Sequence, residues 1–199
     1  MENLKIKKAI SVRKLSIIGM LSGISIFMGL TGIGFIPLPF MKATIMHIPV
    51  IIGAIIEGPI VGAIVGLVFG LFSIYQNITA PTLLSPIFMN PIIAIVPRVL
   101  IGIISYYVYR FIKNKFNKDT FAYALSAAFG TITNTAGVLG LTYFLALEQY
   151  ASLKEVSESA VAGMLTTVGL TNGIPECLVS IVIVIPITTS LMKVYKMRR

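Results

Sequence analysis

Arg98 and Glu176 are ionisable side chains set inside long apolar stretches of this chain. A charge within a bilayer is costly and persists where it pairs or binds. A guanidinium can grip a carboxylate or phosphate through two parallel hydrogen bonds, so Arg98 is a candidate anchor for an anionic ligand, with Glu176 orienting it or accepting ligand hydroxyls. A structural ion pair between the two is the competing reading, and both roles can coexist. Amides and hydroxyls gather at the same level: Asn134 lies in the run Thr131, Thr133, Asn134, Thr135, and Asn172 in Thr171-Asn172-Gly173-Ile174-Pro175-Glu176. Together with Gln76, Asn77 and Asn90 they could line one polar pocket, although bonding a neighbouring helix is the plainer role of such residues. Tyr75 and Tyr143 could add stacking or hydroxyl contacts, or sit as anchors at the lipid interface.

Other chemistry is thinly represented. His47 is the single histidine and has no second His or Cys at metal-ligand spacing, so it reads as a satisfied histidine that can also form part of the pocket wall. No Walker A sequence, CxxC pair or Ser-His-Asp or Cys-His set is present, which argues against an ATPase, a redox protein or a hydrolase. No catalytic residue, metal or cofactor is expected. An intramembrane enzyme acting on a lipid or prenyl substrate, with Glu176, Glu57 or His47 as acid or base, is the rival of another class. The scarcity of acidic residues weighs against it.

The elements that must position these residues follow from charge. Thirteen of the sixteen basic residues fall in Lys5 to Lys14, Arg110 to Lys118 and Lys193 to Arg199. Lys and Arg are retained on the cytoplasmic side, so the three clusters share one face of a membrane and the chain crosses an even number of times between them. With 56% hydrophobic and 12% charged residues, a soluble globule has too little polar surface. The net charge of +9 is assigned to lipid headgroups rather than nucleic acid. A span needs about 20 apolar residues. The spans expected are Leu15 to Leu30, Thr44 to Ile56, Ile60 to Tyr75, and about Pro91 to Ile112, Phe121 to Leu147 and Thr171 to Met192. The fold expected is therefore all-α: one domain over 1–199, a bundle of six transmembrane helices, with both termini and the basic tails 1–14 and 193–199 cytoplasmic. The outer loops would be Thr31 to Ala43, Gln76 to Asn90 and Glu148 to about Ala160, the first two apolar enough to cap the helix ends.

Glycines recur every four residues at Gly58, Gly62, Gly66 and Gly70, marking one face of a helix where another backbone comes close. Gly19 and Gly23, with Ser22, repeat that spacing on the first helix, suiting contact within the bundle or docking of another membrane protein.

With its length, six spans, helix 1 motif and capping loops, the chain resembles the substrate-specific (S) components of energy-coupling factor vitamin transporters. The stretches ATIMHIPVIIGAIIEGPIVGAIVGLVFG, PTLLSPIFMNP, TITNTAGVLG and TNGIPE are similar to the branch that includes pantothenate, hydroxymethylpyrimidine and folate binders. The resemblance implies a non-catalytic binding subunit of the prokaryotic plasma membrane. Such a subunit captures a vitamin from outside and associates, through helix 1, with a transmembrane coupling subunit driven by two cytoplasmic ATPases. Family members commonly carry Ala-xxx-Ala at that docking surface, where this chain has Gly19 and Gly23. One buried Arg with several Asn and Thr residues fits pantothenate, a hydroxylated, amide-containing monoanion. A neutral ring such as hydroxymethylpyrimidine or a pyridoxine-like compound is the alternative, with Arg98 then bound wholly by Glu176; folate would call for more aromatic surface.

Overall fold

The computed structural model describes residues 11–38 and 41–197. Most of the basic amino-terminal tail and the last two residues of the carboxy-terminal one lie outside that range. The elements are α1 (Val12–Thr31), β1 (Phe35–Leu38), β2 (Met41–Thr44), α2 (Ile48–Glu57), α3 (Pro59–Thr79), α4 (Ser85–Phe88), α5 (Pro91–Phe116), α6 (Asp119–Lys154) and α7 (Glu158–Met197). Five of these helices, α1, α3, α5, α6 and α7, are long and apolar enough to cross a membrane. The chain is an α-helical membrane bundle with one small antiparallel hairpin, in which Phe35 pairs with Thr44 and Leu38 with Met41.

Local chemistry sets the helix ends. Ser11 caps α1 by accepting from the Lys14 amide, and Gly32 ends it in a left-handed conformation at φ 76°. Gly58 at φ 104°, followed by Pro59, breaks α2 from α3. Asn90 accepts from the Ile92 amide and Pro91 opens α5. At the other end of α5, Lys113 bridges to Asp119 at 2.9 Å across the turn into α6.

The first expected outer loop, Thr31 to Ala43, is largely the hairpin, and the second expected helix is shorter than Thr44 to Ile56. It begins at Ile48, is about 15 Å long at 1.5 Å per residue, and is buried from Ile48 to Ile55. Its far end meets the start of α1, where Arg13 bridges to Glu57 at 3.1 Å. Ahead of α2, β2 and a turn at Met46 and His47 lead the chain into the bundle, where the Ser25 hydroxyl donates to the Met46 carbonyl at 3.2 Å. The third expected outer loop, Glu148 to Ala160, is also mostly helical. α6 bends at Ala146 and continues to Lys154, and α7 starts at Glu158, thirteen residues before Thr171. Asn172 and Glu176 thus lie well inside α7 rather than near its first turn.

The glycine face of α3 is an internal ridge. A Cβ on Gly62 would meet Gly102, one on Gly66 would collide with the Arg98 carbonyl, and one on Gly70 would sit 2.9 Å from the Ala94 carbonyl. This contact draws α5 against α3 and fixes where Arg98 leaves the helix. A main core surrounds α2, while a second, at the hairpin end, joins Ile87 and Ile93 to Ala146, Tyr150, Val161 and Leu165. The second expected outer loop, through α4, thus packs on the α6–α7 turn. Large apolar side chains such as Phe144 and Val182 point outward, as a lipid solvent requires.

Candidate functional site

Two polar rungs join the chain leading into α2 to helices α6 and α7. In the inner rung, His47 Nε2 lies 2.9 Å from Thr131 Oγ1 and 2.8 Å from Ser180 Oγ. All three residues are fully buried. In the outer rung, Glu176 Oε1 accepts from the Thr44 amide at 2.8 Å and the Thr44 hydroxyl at 3.0 Å, and Oε2 accepts from Thr135 at 3.3 Å. Thr131 and Thr135, like Glu176 and Ser180, are four residues apart, so the rungs are stacked one helical turn, about 6 Å, apart. Two residues, Ile45 and Met46, separate Thr44 from His47 across the same step.

Arg98 is held differently from the expected ion pair. Its Nη1 donates to the Ile93 carbonyl at 2.7 Å, its guanidinium lies 5.7 Å from the Phe69 ring centroid, and its buried Nε has no partner. Pro97 explains the first contact: it has no N–H to give Ile93, so that carbonyl is free to accept from the side chain. Arg98 and Glu176 make no ion pair; the ion pairs among the described residues are Arg13–Glu57 and Lys113–Asp119.

Asn134 Oδ1, Asn172 Oδ1 and His47 Nδ1 are among the other buried polar atoms without a hydrogen-bond partner, as are Ser22 Oγ, Ser105 Oγ and Thr188 Oγ1 elsewhere in the bundle. A buried polar atom left unpaired costs roughly 1 to 3 kcal/mol, so such atoms on adjoining helices mark a place where a ligand can supply the missing bonds. At this level α6 touches α5 on one side and α7 on the other. A Cβ on Gly137 would touch Pro97 at 3.0 Å, and one on Gly173 would touch Thr135 at 3.4 Å. Arg98 thus presents a donor N–H without a partner on α5, and Asn134 and Asn172 present acceptor oxygens without partners on α6 and α7.

Other expected site residues are engaged elsewhere. Asn90 is the α5 cap, Gln76 donates to the Gly29 carbonyl at 3.4 Å, and Tyr75 is 55% exposed beside Phe72. Asn77 accepts from Ser85 at 2.7 Å and steadies α4. Thr44, Ser180 and Pro97 were not singled out by sequence reasoning; the matching four-residue spacings of the Thr pair on α6 and of Glu176 and Ser180 on α7 were the available signal. On α1, Gly19 and Gly23 face outward with open space beyond them, whereas Ser22 is turned into the bundle at 6% exposure. Three residues of rotation carry Ser22 off the stripe that a four-residue spacing defines. A cavity of about 680 Å³ between α6 and α7 is lined mostly by apolar side chains, with Ile132, Tyr143, Leu170 and Leu178 among them. Those four are exposed on the outer surface, so it is a lipid-facing groove and does not include Arg98, Asn134 or Asn172.

Comparison with known proteins gives the family. Residues 13–188 match the family model described as ECF transporter, substrate-specific component. The chain is also 32% identical over 173 residues to the pantothenic acid transporter PanT of Lactococcus lactis subsp. cremoris (strain MG1363), covering 79% of this chain and 81% of that protein. A multi-pass helical bundle with a buried polar centre, matched over most of its length, is a transport component rather than an enzyme, and it implies coupling and ATPase subunits beside it. The chain belongs to the substrate-specific components of energy-coupling factor transporters.

Proposed function

We propose that this subunit binds pantothenate from outside the cell and hands it inward by associating with a coupling subunit and two ATPases. The observation that carries the reading is Arg98: a half-buried guanidinium whose Nε is buried without a partner and which has no carboxylate partner among the described residues, which suits a ligand that brings its own carboxylate. Asn134 and Asn172 are proposed to bond the ligand's amide and hydroxyl groups. The relationship to a pantothenic acid transporter supports the same choice. The neutral-ring alternative relied on Arg98 being taken up by Glu176, and that carboxylate accepts instead from Thr44 and Thr135.

In this reading α2 with its extended lead-in makes a sixth crossing, and the end carrying Arg13, Lys113, Lys115 and Lys193 is cytoplasmic, with both termini. The hairpin and α4 then cap the outer side. The open face around Gly19 and Gly23 is the proposed docking surface for the coupling subunit. Native mass spectrometry of the purified protein with pantothenate, hydroxymethylpyrimidine and folate in competition tests the ligand. One-to-one occupancy by pantothenate is expected, and preferential occupancy by either competitor would overturn the assignment.

A further inference from the structure

We infer that Glu176 is a positioning residue that latches the β1–β2 hairpin onto the bundle, rather than a contact for the ligand. Its two oxygens already accept from the Thr44 amide, the Thr44 hydroxyl and the Thr135 hydroxyl, and the residue is 5% exposed. A backbone N–H can only donate, so Oε1 is committed as an acceptor there. Bonds to a buried carboxylate are stronger than neutral ones, which makes this the stronger of the two rungs bond for bond.

The hairpin needs such an anchor. Two strands of four residues are too small to hold a position by themselves. Thr44 is the last residue of β2, and its bonds to Glu176 tie the hairpin to α7, while the Gly34 amide, donating to the Met28 carbonyl at 2.8 Å, ties its other strand to α1. Below Thr44 the chain is fixed again by the inner rung, His47 with Thr131 and Ser180. Loss of the outer rung alone therefore frees the α7 side of the hairpin, with Gly34 still bonded to Met28 and Ser25 to Met46, while leaving α2 in place. The consequence for ligand exchange rests on the proposed ligand site; the latch itself does not.

Hydrogen exchange of the purified full chain without ligand reads the latch directly, comparing peptides spanning residues 41–47 and 48–57. Glu176→Ala is expected to speed exchange in 41–47 by about tenfold or more and to leave 48–57 at its native rate. Glu176→Gln retains an acceptor for Thr44 and is expected to stay within about threefold of the native protein. Thr44→Val removes only the hydroxyl donor, keeps a strand-forming residue, and is expected to fall between them, so the test survives if Glu176→Ala does not fold. Native exchange of 41–47 in both Glu176→Ala and Thr44→Val, or equal acceleration of 48–57, would overturn the latch. Labelled pantothenate is expected to dissociate about tenfold faster from Glu176→Ala. Absence of pantothenate binding to the unaltered protein would reject the ligand reading, with the exchange comparison still deciding the latch.

Discussion

Arg98 donates to the carbonyl of Ile93, five residues earlier on the same helix, at 2.7 Å. That carbonyl is available because Pro97 brings no amide hydrogen to it. A helix defect thus orients the one guanidinium in the polar centre, and Gly66 on α3 lets the backbone carrying it come close.

Pro97→Ala is expected to return an N–H to the Ile93 carbonyl and release Arg98 from it. Pantothenate affinity should fall by about 1 kcal/mol while the helix itself becomes more regular. Isothermal titration beside a thermal melt separates the two effects; unchanged affinity would remove Pro97 from the positioning of Arg98.

Asn134 and Asn172 each bury an oxygen without a partner. Replacing either by Leu removes an unsatisfied atom, so the melting temperature without ligand should hold or rise, while binding weakens by about 1 to 2 kcal/mol. A variant that loses stability and keeps its affinity would mark the amide as structural.

Close packing at Gly66 makes a sharp contrast with Gly140. A Cβ at Gly66 meets the Arg98 carbonyl, whereas one at Gly140 meets nothing within 4 Å. Gly66→Ala should destabilise by about 1 to 3 kcal/mol and weaken binding through Arg98, and Gly140→Ala should be neutral or slightly stabilising. Melts of the two variants in the same detergent check this, and equal behaviour would refute the ridge contact.

Gly19→Leu and Gly23→Leu fill the open outward face of α1 without touching the bundle. Both should abolish uptake in cells carrying the full transporter while pantothenate binding to the isolated subunit stays native. Intact uptake would move the docking surface elsewhere.

The long apolar runs, the glycine ridge and the exceptional character of Arg98 and Glu176 were legible in the sequence because each follows from burial or spacing along one element. The start of α7 was not. Glu158 to Ala160 read as the end of a loop and the expected helix opened only at Thr171, yet Thr166, Thr167 and Thr171 donate back to Ala162, Gly163 and Thr167 within one continuous helix. The hairpin was obscured by the prolines at Pro37 and Pro39. The partners of Glu176 were out of reach for another reason: its bonds to Thr44 join residues 132 apart in sequence, and only the packed register of α7 on β2 brings them together. Asn90 before Pro91, in contrast, carried a readable helix-start signal and proved to be a cap.

The most direct test compares pantothenate with its analogue bearing CH2OH in place of the carboxylate, titrated into the unaltered protein and into Arg98→Ala. The unaltered protein should prefer the acid by about 2 to 4 kcal/mol, and Arg98→Ala should bind the two alike. Equal binding of acid and alcohol by the unaltered protein, or a preference that survives in Arg98→Ala, would contradict the assignment of Arg98 as the carboxylate anchor.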